Sequence, residues 1–355
     1  MRPSLLVAGA AATVLVLASC SPSTQDEIAD DSAETSPTTA QAQDAPSVVV
    51  TTTVLGSVVG EILTCALGDD SSMSVLMPIG ADPHDFQASS AQVALMASAD
   101  LVVANGLGLE EGVVDAIENV EADGVSVLEI AALVDPLPFG EEHEEEHSEE
   151  ESHDEHGHED DHSDEEDHSE EESHDDHGHG EFDPHFWFDM ERMALAAELI
   201  GAELAVNGDE SFASCGESVA EEIRATDVLV ADTLSSVQEA NRVLVTDHDA
   251  LGYLAERYDF DVVGVVIPGG STLGDANSSD LADLVATIQN EGVRAIFGNT
   301  AGSPALLETL AAEVGGDVQV VELFVGSLGG PGSGAESYAE MMTTNATRIA
   351  SALAD

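Results

Sequence analysis

The sequence predicts an α/β protein of two lobes, each with a mainly parallel sheet flanked by helices, joined by one long helix. Two observations carry this: short β-branched runs alternate with amphipathic helical stretches on both sides of the chain's middle, and a helical stretch at residues 214–240 has no Gly or Pro after Gly216. Repeated β then α is the pattern of a parallel sheet with right-handed crossovers. About three hundred residues, 47–355, are too many for one small core and suit two domains.

In the first lobe, residues 47–53 read as a strand, 54–67 as a helix and 73–77 as a short strand that stops at Pro78. Ser89 or Ser90 caps a helix through 98, followed by a strand at 101–104 that ends at Asn105 and Gly106. A helix over 110–120 and a strand over 125–130 complete it. After residue 190 an Ala- and Leu-rich helix runs to 206, and the 214–240 helix follows; at 1.5 Å per residue it spans roughly 35 to 40 Å, enough to bridge two lobes. The alternation then restarts with strands at 242–246, 260–267, 293–297 and 318–324. Helices at 250–258, 279–290, 304–314 and from 335 onward separate and close them.

The chain ahead of residue 47 reads differently. One charge at Arg2, an apolar run over 5–18 and Leu17, Ala18, Ser19 before Cys20 make an export signal too short to span a bilayer. The small residues before Cys20 resemble a bacterial lipobox, which places a lipid on Cys20 and the protein outside the cytoplasmic membrane; an ordinary secretory signal is the alternative. Residues 21–46 are Ser-, Thr-, Pro- and acid-rich and read as a disordered spacer. The expected division is thus signal 1–20, spacer 21–46, first lobe 47–213, linking helix 214–240 and second lobe 241–355. With Cys20 at the anchor, Cys65 and Cys215 remain, either as a disulfide in an oxidising compartment or as two free buried thiols.

The chain has seven Arg, no Lys and 72 acidic residues, a formal net charge of −65. Such a balance argues against nucleic-acid binding, disfavours electrostatic attachment to anionic lipid and favours cationic ligands. Part of it lies in an insertion at 141–181, which has no apolar residue and nearly repeats itself, HSEEESHDEHGH at 147–158 returning as HSEEESHDDHGH at 168–179. Its ten histidines are His143, His147, His153, His156, His158, His162, His168, His174, His177 and His179. Spaced along an acidic chain, these imidazoles offer several weak, exchangeable auxiliary metal sites.

Only His84, His185 and His248 lie outside that run. A lone histidine is most often a core or capping residue, but each of these three sits in a loop after a predicted strand or in a proline-stiffened turn. Asp-Pro-His occurs twice, at 82–84 and 183–185, and His248 follows the 242–246 strand directly. Open α/β sheets bind ligands at the carboxyl ends of their strands, so the three can share one cleft. Three neutral imidazoles suit zinc better than manganese, which prefers oxygen-rich sites. Asp82, Asp85 and Asp249 are the nearby carboxylates, as a fourth ligand or as acceptors that orient imidazole N–H groups. The same three histidines with an open position also describe catalytic zinc, but no His-Glu-x-x-His or Gly-x-Ser-x-Gly motif is present.

The stretches MPIGADPHDF, ADLVVANGLGLE, DPHFWFD, TDHDALGYLAERY, GVRAIFGN and SYAEMMTTN, together with the histidine-rich insertion, resemble the substrate-binding lipoproteins of bacterial zinc and manganese ABC importers over almost all of 47–355. The resemblance implies a metal held between the lobes by His84, His185 and His248, a membrane permease as partner, a lipid-anchored extracytoplasmic monomer, and no enzymatic turnover. In the manganese branch the third position is similar to a glutamate, so His248 points to zinc. Many members have Asp-Ser-Leu where this chain has Gly326, Ser327 and Leu328, which leaves the fourth position to water or a nearby carboxylate. Gly326→Asp is then expected to tighten metal binding. A surface zinc-sequestering lipoprotein and a zinc hydrolase are the competing readings.

Overall fold

A computed structural model describes residues 45–68, 71–139, 180–315 and 318–354, with the side chain of Asn207 excepted. The predicted signal, Cys20, the spacer up to residue 44 and all ten insertion histidines lie outside the described residues.

The first sheet contains β1 (Val48–Val50), β2 (Met73–Val75), β3 (Leu101–Ala104) and β4 (Ser126–Glu129), all parallel in the order β2-β1-β3-β4. The second contains β5 (Val243–Thr246), β6 (Asp261–Val265), β7 (Ala295–Asn299) and β8 (Gln319–Leu323), parallel in the matching order β6-β5-β7-β8. Both are the open parallel sheets that the alternation predicts. All residues of β1, β3 and β7 are buried, as expected where helices cover both faces. Strand β3 matches its predicted bounds and β7 keeps the predicted length two residues later, while the other six strands are shorter than predicted, because the flanking residues turn into loops or helix caps. Thr52, read as strand, instead accepts a hydrogen bond from the Leu55 N–H and caps α1 (Thr53–Leu67).

The remaining helices are α2 (Ser90–Met96), α3 (Val114–Ala122), α4 (Met190–Asn207), α5 (Ser211–Ser235), α6 (Gly252–Tyr258), α7 (Ser278–Glu291), α8 (Ala305–Val314) and α9 (Tyr338–Leu353). Ser89 and Gln92 form a capping box on α2, and Asp189 caps α4 by accepting from the Glu191 and Arg192 N–H groups. The helix expected from residue 110 starts four residues later. The Glu110 carboxylate is turned inward instead, accepting from the Asn105 and Gly106 N–H groups and the Thr51 hydroxyl, and this fixes the loop after β3.

The long helix α5 has 25 residues, about 38 Å at the standard rise. It starts at Ser211, whose N–H bonds the Asp209 carboxylate, and ends at Ser235, before the stretch to 240 that was expected to be helical. It packs on α1 and α4 of the first lobe and on α6 and α9 of the second. Its crossing with α4 is close: a Cβ added at Gly216 would lie 2.6 Å from the Ala197 carbonyl oxygen and 3.0 Å from Gly201 Cα. A disulfide between Cys65 and Cys215, with Cα atoms 5.8 Å apart, ties α1 to α5.

Buried and half-buried hydrogen bonds join the halves near the strand ends. The Trp187 indole N–H donates to the Val325 carbonyl at 3.0 Å, and the Tyr338 hydroxyl donates to the Trp187 carbonyl at 2.7 Å. The Gly80 N–H donates to Ser327 Oγ at 2.8 Å, and the Leu328 N–H to Thr53 Oγ1 at 2.9 Å. Among the described residues no helix is long and apolar enough to cross a membrane.

Candidate metal centre

His84 lies in the turn after β2, His185 opens the short helical turn Phe186–Phe188 that leads into α4, and His248 follows β5 by two residues. The folded chain brings the three together. One nitrogen from each lies within 4.8 Å of the others, and all three residues are at most 2% exposed. Their ring centroids are 5.2 to 5.6 Å apart. Of the described residues, these three form the one group of metal-ligating side chains so arranged.

Two of the rings are fixed by carboxylates. Asp183 Oδ1 lies 2.8 Å from the backbone nitrogen of His185 and 2.7 Å from its Nδ1; Asp247 Oδ1 makes the same pair of contacts with His248, at 3.0 and 2.9 Å. With Nδ1 engaged, each ring presents Nε2, the arrangement by which protein carboxylates orient metal-binding imidazoles. Asp247 is itself anchored, since its Oδ2 accepts from the Asn299 N–H at the end of β7. Asp183 is backed by the ring of Tyr253, whose hydroxyl donates to the Asp183 carbonyl and accepts from the Leu137 N–H.

Burial keeps the rings of His84 and His185 neutral. Burial first, then the neighbouring rings of His185 and His248, push the His84 pKa down to about 3; burial pushes that of His185 well below its ordinary value. Burial raises Asp183 to about 7, against the lowering effect of its backbone hydrogen bond. Burial also pushes Asp247 up, but the His248 ring and the Asn299 and His248 N–H groups together outweigh it and leave the carboxyl below its usual range. Both nitrogens of His84 and Nε2 of His185 are buried with no hydrogen-bond partner. Buried polar atoms are nearly always satisfied, so the unpartnered nitrogens of His84 and His185, clustered with a nitrogen of His248, fit a metal ion.

The carboxylates singled out from the sequence do not fill the expected places. Asp249 lies beside His248 in sequence, yet Asp247 takes the ring; the Asp249 N–H is tied to the Gly269 carbonyl, and burial with the charge of Asp183 pushes its carboxyl up to about 6. Asp82 accepts from the His84 backbone N–H at 3.1 Å, while its other oxygen accepts from Thr272. Asp85 is exposed and faces a separate cavity of about 310 Å³. None of the three joins the histidine cluster. Gly326 abuts the loop that carries His84, since a Cβ there would lie 2.6 Å from Pro83 Cδ; the donor expected from Gly326→Asp thus meets a proline ring. Ser327 is committed to the Gly80 N–H and the Leu328 carbonyl.

Asp183 and Asp247 were overlooked from the sequence. The signal for Asp183 was present in the repeated Asp-Pro-His, because an aspartate readily accepts from the N–H two residues on. The cluster opens on a cavity of about 580 Å³ lined by His84, Glu111, Pro184 and Ser271. Phe139 and Gly180, on either side of the segment outside the description, also line it.

Two parallel-sheet lobes with a buried three-imidazole cluster at their strand ends define a cleft-type metal-binding protein. The chain belongs to the family described as zinc-uptake complex component A, periplasmic, whose model matches residues 48–352. It is 25% identical over 300 residues to the manganese-binding lipoprotein MntA of Halalkalibacterium halodurans, covering 84% of this chain and 86% of that one. It is 26% identical over 320 residues to the zinc-binding protein TroA of Treponema pallidum, covering 88% and 91%. The solved structure of the periplasmic zinc-binding protein TroA superposes with a TM-score of 0.67 at 26% identity, over 87% of this chain and 99% of that chain.

Proposed function

We propose that the chain captures a single zinc ion between its lobes through Nε2 of His185, Nε2 of His248 and a ring nitrogen of His84, and delivers it to a membrane permease. Family membership makes it the extracytoplasmic metal-binding component of a metal ABC importer. The observation that carries the choice of ligands is that one nitrogen from each of the three rings lies within 4.8 Å of the others, with Nε2 of His185 and both nitrogens of His84 buried and unpartnered. Zinc is favoured over manganese because the donors are three neutral nitrogens with no carboxylate among them. The fourth position of a tetrahedral zinc is left to water. Cys20 carries the lipid anchor, the protein is a monomer, and it binds and releases its ion without chemical turnover. The insertion histidines raise the local zinc concentration at the cavity, whose lining includes Phe139, just before the insertion, and Gly180, near its end.

The test is competition against a chelator of nanomolar affinity, using the full chain and the His84→Ala, His185→Ala and His248→Ala variants. The parent should hold one zinc against the chelator, each variant should lose it, and weak insertion sites should remain in all. Retention by all three variants would move the tight site elsewhere. Manganese displacing zinc at equal concentration would reverse the metal preference, the second reading favoured by the manganese-binding relative.

A further inference from the structure

The carboxylate that orients His84 has no assignment above, and the geometry points to Glu111. The inference rests on the three-histidine centre proposed above. His185 and His248 each have a carboxylate oxygen within 2.9 Å of Nδ1, whereas Nδ1 of His84 has Glu111 Oε1 at 3.5 Å. Asp82, which the repeated Asp-Pro-His would nominate by analogy with Asp183, does not bond the ring, since Nδ1 of His84 has no hydrogen-bond partner. Its two oxygens are held by the His84 backbone N–H and the Thr272 hydroxyl. The backbone beneath Glu111 is anchored, because its neighbour Glu110 binds the Asn105 and Gly106 N–H groups.

Glu111 Oε1 is shared. Ser271 Oγ donates to it at 2.5 Å from the opposite lobe, 160 residues along the chain. Ser271 and Thr272 are consecutive, so one loop of the second lobe holds Glu111 through Ser271 and Asp82 through Thr272. A cation on Nε2 withdraws charge from an imidazole and makes Nδ1–H a stronger donor, and a carboxylate accepting from it raises the ligand's basicity. Closing a gap of 3.5 Å to hydrogen-bond length needs a movement of about 0.6 Å, within reach of a glutamate whose side chain is 39% exposed. Zinc binding therefore draws Glu111 from Ser271 onto His84. In this role Glu111 is a positioning residue, acting through His84, and Ser271 is its competitor.

The experiment uses full-length parent, Glu111→Ala, Glu111→Gln and Ser271→Ala. Zinc affinity is read by chelator competition, and the hydrogen-bonded Nδ1–H protons are counted by NMR of zinc-loaded protein labelled at histidine nitrogen. Glu111→Ala should weaken zinc by about 10- to 100-fold and reduce the low-field ring protons of the buried centre from three to two. Glu111→Gln, which keeps an acceptor without charge, should retain the third proton with a smaller affinity loss. Ser271→Ala should tighten zinc. Parent-like affinity and three protected ring protons in Glu111→Ala would overturn the assignment. A parent that holds no tight zinc would instead sink the proposed function, and this inference with it.

Discussion

A single oxygen of Asp183 holds His185 at two points, 2.8 Å from the backbone nitrogen and 2.7 Å from ring Nδ1, so the peptide and the imidazole are fixed as one rigid unit. Removing its charge while keeping its shape isolates this role. Asp183→Asn should weaken zinc by about 10- to 100-fold in chelator competition, as loss of an imidazole-orienting carboxylate typically does. Unchanged affinity would show that packing against Trp187, whose ring lies 5.2 Å from that of His185, suffices to orient the ligand.

The same carboxyl predicts a proton count. Burial holds Asp183 near pKa 7, and a cation on His185 favours its ionised form, so zinc binding should expel its proton wherever the carboxyl begins protonated. Calorimetry in buffers of different ionisation enthalpy should find about one more proton released by parent than by Asp183→Asn near pH 6. That difference should vanish near pH 8.5.

Chelator-treated protein should respond to acid through His84. Its folded pKa of about 3 lies below the ordinary value of about 6.5 that it recovers on unfolding. Between those values the unfolded chain binds a proton that the folded chain refuses, so each unit of acidification costs the folded state about 1.4 kcal/mol from this group. His84→Gln lacks that penalty. Its stability relative to parent in urea titrations should therefore rise as pH falls below about 6.5, and parallel pH profiles would contradict the burial argument.

Gly326→Asp should weaken zinc and destabilise the fold. The new Cβ meets Pro83 Cδ at 2.6 Å, and overpacking of this kind costs about 1 to 3 kcal/mol. The displaced proline immediately precedes His84. Tighter binding, with an unchanged melting temperature, would show that this loop yields freely.

Cys65→Ser combined with Cys215→Ser should lower unfolding free energy by about 2 to 5 kcal/mol without altering zinc affinity, because the bridge joins α1 to α5 and contributes no group to the centre. Denaturant melts and metal competition on the same sample check both halves of the statement.

Much of the architecture was legible in the sequence, since β-branched runs separated by capped helices have few other ways to bury themselves. The element ends were less so. Thr52 and Glu110 each had a local reading, as strand and as helix opener, that long-range hydrogen bonding overrode. The three histidines stood out by elimination from the insertion, and the structure places their rings together. Of their carboxylate partners only Asp183 carried a signal, in the repeated Asp-Pro-His. Whether Asp247 or Asp249 reaches the His248 ring depends on how the chain turns after β5, and the approach of Ser271 to Glu111 exists only once the lobes pack.

The stem beneath the insertion has a further consequence. Pro138 and Phe182 pair as an antiparallel bridge, the Asp183 N–H donates to the Leu137 carbonyl at 2.8 Å, and the Phe139 N–H to the Glu181 carbonyl at 3.3 Å. The two ends are thus clasped immediately before His185, and the closure entropy of a segment between fixed ends grows only logarithmically with its length. The segment between these ends can therefore be lengthened, shortened or rewritten at little change in closure cost, while the bonds that fix His185 stay the same.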